Sequence, residues 1–157
     1  MNSRLKNQKP IWEIKLKINK VIRKIAKALE TEDKIIFAVL FGSVAKGLMT
    51  KLSDFDIAIY SKEKLSNEEI MNLIYAIASE LNINEERVDL VILDRYSPYE
   101  LRFKVFRDGL PIIIRDLEVY KKYRDESISF YLDFKVFKKK LNLDKRYIEK
   151  LKGSLDG

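Results

Sequence analysis

The chain has 157 residues, 46% of them hydrophobic, with 31 basic and 24 acidic side chains, no cysteine and no histidine. Without cysteine there is no disulfide, thiolate nucleophile or thiolate-held metal; without histidine there is no imidazole base, Ser-His-Asp triad or ordinary zinc enzyme site. Catalysis must then rest on Asp, Glu, Lys, Tyr, Ser or a hard cation held by oxygen, which points to Mg²⁺ or Mn²⁺ if a metal is used.

This length fits a single domain over residues 1–157, with a core from about 12 to 141 and a polar tail over 142–157. The net charge of +7 has two readings. One is attraction to nucleic acid, nucleotide phosphates or an acidic protein; the other is a lysine-rich surface, since the charge is spread along the chain. No run of about eighteen apolar residues predicts a transmembrane helix. The basic N-terminus "MNSRLKNQKPIWEIK" lacks the apolar stretch and cleavage site of a signal peptide, so the cytoplasm is the expected location.

In chain order, residues 11–30 place Ile14, Ile18, Val21, Ile22, Ile25 and Leu29 at helical spacing. "KIIFAVLF", residues 34–41, reads as a buried strand that stops at Gly42. "SDFDIAIYS" is a second strand, after a connection with room for one or two helical turns. Ser66 and Glu69 stand in capping-box register ahead of a helix that runs to about Leu81. "RVDLVILD" is a third strand. Ser97 is expected to cap a further helix, with Pro98 at its first position and Gly109 as the C′ residue. "PIIIRD" is a fourth strand, expected at a sheet edge because it opens on proline. A last helix is expected from Asp116 to about Leu141. The order predicts an α/β (α+β) fold, a mixed four-stranded sheet flanked by helices.

The strand ends carry the chemistry. If the first two strands are antiparallel, the end of one lies beside the start of the next. A helix separates the second and third strands, which makes them parallel, so their starts share one edge of the sheet. Gly42, Ser43, Asp54, Asp56 and Asp89 therefore converge. Asp54 and Asp56, at i and i+2, face one side of a strand while Phe55 faces the other. Three carboxylates this close stay ionised only beside a cation, and one or two Mg²⁺ ions held by Asp54, Asp56 and Asp89 would supply it. Gly42 lets backbone N–H groups approach a phosphate at a helix start, with the Ser43 hydroxyl and the Lys46 ammonium as further donors. A phosphate cradle facing a two-metal carboxylate cluster is apparatus for nucleotidyl transfer. Competing phosphate motifs fail. Leu48 and Met49 stand where a P-loop requires Lys and Ser/Thr, and the glycine pattern of a dinucleotide-binding turn is absent.

"GSVAKGLMTKLSDFDIAI" resembles the Gly-Ser-x10-Asp-x-Asp signature of the DNA polymerase beta nucleotidyltransferase superfamily, and Asp89 in "RVDLVIL" matches its third carboxylate. The size is similar to that of the minimal nucleotidyltransferases. "LRFKVFRDGLPIIIRD" resembles the corresponding part of MntA-type members, antitoxins of HEPN ribonuclease toxins. The resemblance covers roughly residues 20–135 and implies the polymerase beta-like palm fold. It further implies that Gly42 and Ser43 hold the triphosphate of ATP, that Asp54 and Asp56 bind both metals, and that Asp89 binds the catalytic one. In that group the acceptor is a tyrosine of the partner toxin, which is adenylylated and silenced. Two alternatives stand beside this: the same chemistry on a small hydroxylated molecule, and a non-catalytic antitoxin that neutralises by docking. The general base is open between Asp89 and metal-bound hydroxide.

The last helix carries an aromatic stripe of Tyr120, Tyr123, Phe130, Tyr131, Phe134 and Phe137, interleaved with lysines. It either packs on the sheet or docks a partner through its far end, with RNA binding by "KVFKKK" as a third reading.

Overall fold

Residues 8–155 are described by a computed structural model. The helix α1 spans Ile11–Leu29, the strand β1 Ile35–Phe41, and α2 the single turn Gly42–Ala45. β2 follows at Phe55–Ser61, α3 at Asn67–Leu81, β3 at Val88–Leu93, α4 at Tyr99–Asp108, β4 at Leu110–Ile114 and α5 at Leu117–Leu155. The sheet order is β3-β2-β1-β4. β1 is antiparallel to both β2 and β4, whereas β2 and β3 are parallel, joined by the crossover through α3.

β1 is buried on both faces, and its residues divide between two cores by the period-2 rule. Ala38 and Leu40 join Ile57, Ile59, Ile25 and Ile77 in one core, where α1 and α3 pack. Phe37, Val39 and Phe41 join Ala58, Val105, Phe106, Tyr120 and Tyr123 in the other, under α4 and α5. The same alternation sorts β2 and β3. Phe55 and Val88 lie in the first core, so Asp56 and Asp89, the next residue along each strand, are turned toward the α4 side.

Helix starts and stops follow local chemistry. Ser66 caps α3 by accepting from the Glu69 backbone N–H at 3.1 Å, while Glu69 accepts from the Ser66 N–H at 2.7 Å. The end of α3 takes Asn82 in the left-handed region. Ser97 does not cap α4. Its hydroxyl instead accepts from the Asp94 N–H at 2.9 Å, closing the turn that feeds the helix, and Pro98 occupies the cap position without a side-chain bond. Gly109 is extended rather than left-handed; its small size is needed because a Cβ would strike the Val105 carbonyl and the Val39 side chain.

The polar tail expected after Leu141 is helix instead. α5 continues to Leu155, 39 residues or roughly 58 Å. Residues 142–152 contain no proline or glycine and are rich in Lys, Leu, Glu and Arg, all good helix formers, so nothing in the chain stops the helix at 141. Residues 1–7 and 156–157, which belong to the expected basic N-terminus and tail, lie outside the described residues. Among the described residues, no helix is long and apolar enough to cross a membrane.

Candidate active site

β1 delivers its C-terminal end to the start of β2, with Phe41 paired to Asp56. The next residue, Gly42, has φ of +74°, a conformation L side chains rarely adopt. A Cβ there would collide with Asp56 Oδ2. The backbone of the Gly42-Ser43 turn is thus held against the carboxylate, with Ser43 exposed above it and Val44 buried below as the anchor. Because α2 is only one turn long, its macrodipole is slight, and the capacity to hold an anion rests on local N–H groups and the Ser43 hydroxyl.

Asp56 and Asp89 are register partners on the parallel strands β2 and β3. The Asp56 carboxyl is held above its ordinary value by burial first, then by the charge of Asp89 and a hydrogen bond to it. Lys104, on α4, opposes that rise, and the charge of Asp54 adds the smallest part. Asp54 lies just before β2, exposed at the mouth of the site. Among the described residues, no three acidic side chains stand as a finished metal cage; Asp56 and Asp89 are together, and Asp54 is beside them at the rim. The donor set is nevertheless suited to Mg²⁺. It offers only oxygens, and an Asp56 carboxyl whose charge is disfavoured by burial and by the neighbouring Asp89 is what a hard cation would relieve.

Lys46 is engaged elsewhere in the structure. Its Nζ lies 3.4 Å from Asp108 Oδ2 on α4, and the same oxygen accepts from Arg107 Nε at 2.7 Å. Arg107 first, and Lys46 with it, holds the Asp108 carboxyl below its ordinary value. Lys46 therefore ties the loop after α2 to α4, and reaching a phosphate means leaving Asp108.

Two residues escaped the sequence reading. Lys104 is the cation whose charge acts on Asp56; its one signal was its place four residues before Asp108 on the same helix face. Arg87, just ahead of β3, donates from Nε at 3.0 Å and from Nη2 at 2.8 Å to the Ser53 carbonyl, and its guanidinium lies over the Phe55 ring. This clamp fixes the backbone that enters Asp54 against the strand that carries Asp89.

A family model described as polymerase beta, nucleotidyltransferase matches residues 23–118. No curated protein matches the chain by sequence. Among solved structures, one toxin–antitoxin with AMP-PNP is 27% identical, with a TM-score of 0.63 over 80% of this chain and 98% of that one. A mutant of the toxin–antitoxin MntA-HpeT, carrying two aspartate-to-glutamate changes two positions apart, is 25% identical with a TM-score of 0.63 over the same shares. The toxin–antitoxin MntA-HepT is 26% identical, with a TM-score of 0.55 over 84% of this chain and 98% of that one.

Proposed function

The chain belongs to the polymerase beta nucleotidyltransferase family, and from that premise we propose that it transfers AMP from ATP to a tyrosine hydroxyl of a partner HEPN-type toxin and serves as that toxin's antitoxin. The observation that carries the reading is the meeting of Gly42, Asp56 and Asp89 at one edge of the sheet. The choice of partner is supported by the solved relatives, which are toxin–antitoxin complexes, one of them with AMP-PNP, an ATP analogue. The spacing of the two altered aspartates in the MntA-HpeT mutant is also that of Asp54 and Asp56 here.

In this reading the Gly42-Ser43 backbone and the Ser43 hydroxyl hold the β- and γ-phosphates. Lys104, beside Asp56, and Lys46, once released from Asp108, offset the negative charge of the triphosphate. Asp54, Asp56 and Asp89 would hold Mg²⁺. When bound, that ion neutralises phosphate charge and polarises the reacting oxygens. The acceptor hydroxyl forms a bond to the α-phosphorus as the bond to pyrophosphate breaks, and its proton passes to an Asp89 Oδ. The packed strands contribute placement: both carboxylates are fixed by sheet register before substrate arrives.

A second reading, transfer to a small hydroxylated molecule, is favoured by an open apolar groove of about 560 Å³ beside Lys46, lined by Ile11, Ile14, Ile18, Leu48 and Leu110. Intact-mass spectrometry separates the two. A HEPN-type toxin incubated with this chain, ATP and Mg²⁺ is expected to gain whole AMP units, with no gain for Asp54→Asn. Tight binding without any gain in mass would overturn transfer to that protein and leave neutralisation by docking.

A further inference from the structure

The long helix α5 carries one apolar seam in two settings. Tyr120, Tyr123 and Ser127, at alternating spacings of three and four residues, are buried against the domain. The same register continues through Phe130, Phe134, Phe137, Leu141, Ile148 and Leu151, all between 46% and 57% exposed. Packing against the domain ends where Phe130 meets Tyr99 and Tyr131 stacks on Phe103. From Leu132 through Ser154 every residue is exposed, a projecting rod of roughly 34 Å.

Alternation of three and four is the heptad seam of a coiled coil, which keeps one stripe facing a partner helix for its whole length. An exposed helix gains little stability from propensity alone and depends on burying such a stripe. The residues flanking the seam say what covers it. With Phe134, Leu141 and Ile148 at position a, the e positions are Lys138, Lys145 and Lys152, and the g positions are Asp133, Lys140 and Tyr147. Residues 132–154 hold eight basic and three acidic side chains, a net +5 within a chain of +7. An antiparallel second copy would set the e-position lysines against one another, and a parallel one would set Lys140 against Lys145 and Asp144 against Asp144, offset by the single pair Asp133–Lys138. The seam position Asp144 adds a carboxylate that needs a cation opposite it when covered.

We propose that residues 130–152 of α5 form a docking rod for an acidic amphipathic helix of another protein, one with an apolar heptad stripe, Glu or Asp on both flanks and a basic residue opposite Asp144. Apolar side chains at the centre and lysines at the rim match such a partner in both seam and charge. The site is separate from the nucleotidyl-transfer chemistry and stands whether or not that reading holds.

The test uses the full chain and two labelled synthetic helices of three heptads. Both carry Leu and Ile at the seam and one Lys opposite Asp144; one has Glu on its flanks, the other Lys. Fluorescence anisotropy is expected to show the Glu-flanked helix binding at least tenfold more tightly than the Lys-flanked one, and weakening as salt rises. Phe137→Glu and Leu141→Glu, both at exposed positions, are expected to lose at least tenfold in affinity while circular dichroism and thermal melting hold. No binding of the Glu-flanked helix overturns the proposal. So does dimerisation of the chain alone in sedimentation, if Phe137→Glu abolishes it, because the seam then belongs to a second copy. Preferential binding of single-stranded RNA to the wild-type rod, lost on replacing Lys138, Lys139 and Lys140, assigns it to nucleic acid instead.

Discussion

Gly42 and Asp56 are so closely apposed that a single methyl group on the glycine would occupy the space of the aspartate's Oδ2. In the proposed function, the backbone that would meet phosphate and the carboxylate that would meet metal are therefore in contact before either ligand binds. Gly42→Ala strikes twice, through the collision and through a φ of +74°. The left-handed backbone alone costs about 1–2 kcal/mol for an L side chain. We expect a lower melting temperature and a loss of AMP transfer of about a hundredfold or more, because an ångström of misplacement at a reacting centre has that scale. Transfer within a few-fold of wild type would show that the apposition is not needed.

Burial and the charge of Asp89 both disfavour the ionised Asp56. Asp56→Asn removes that repulsion and keeps the shape. The metal-free variant is expected to melt at or above the wild-type temperature while transfer is abolished. Mg²⁺ should raise the melting temperature of the wild type and leave that of Asp56→Asn nearly unmoved, since ligands stabilise the state they bind. Differential scanning fluorimetry with and without Mg²⁺ reads both effects. An equal Mg²⁺ shift in the two proteins would place the ion elsewhere.

Arg87 acts at one remove. Its two donors close on the Ser53 carbonyl next to Asp54, so it positions that carboxylate without facing the reaction. Arg87→Ala should lower kcat about tenfold with KM for ATP little changed, because the Gly42-Ser43 cradle is intact. Arg87→Lys has no planar fork to offer the same carbonyl and should recover little of the loss. A rise in KM with kcat unchanged would make Arg87 a nucleotide contact instead.

The convergence of Gly42, Asp56 and Asp89 was legible in the sequence because strand direction follows from connection length and side-chain facing follows from a period of two. β4 was placed at the edge by Pro111, and α3 was bounded by the Ser66–Glu69 box. The errors lay where several local solutions compete. Ser97 sits three residues after Asp94 and closes that turn in preference to capping α4. Gly109 does stop α4, but in an extended rather than a left-handed conformation, and its smallness serves the approach of Val39. Lys104 and Arg87 were hidden because a lone cation on an amphipathic surface looks like any other until its neighbour across the fold is known. The length of α5 is hidden by a polar composition that resembles a tail, and only the apolar register running on past Leu141 marks it as helix.

The same capping box that marks α3 in the sequence also carries a pH-dependent tie between α3 and the start of β1. Lys34 Nζ lies 2.6 Å from Glu69 Oε1, while Glu69 Oε2 accepts from the Ser66 N–H. Lys34 first, and the Ser66 backbone next, lower the Glu69 carboxyl below its usual value of 4.5. A depressed carboxylate stabilises the fold above its unfolded pKa, and that contribution fades as pH falls through the folded value. On the other side, the Lys34 ammonium is raised above 10.5, chiefly by the hydrogen bond to Glu69. Its contribution is complete below 10.5 and fades as pH rises through the folded value. The pair therefore supports the fold across neutral pH and weakens it at both extremes. Glu69→Gln keeps a side chain able to accept from the Ser66 N–H but removes the charge. Its thermal melting curve against pH should lie below the wild type near neutrality, by an amount that added salt reduces, and should approach it below about pH 4. A constant gap between the two proteins from pH 3 to pH 8 would mean that the carboxylate's charge contributes nothing and that its shape alone holds the cap.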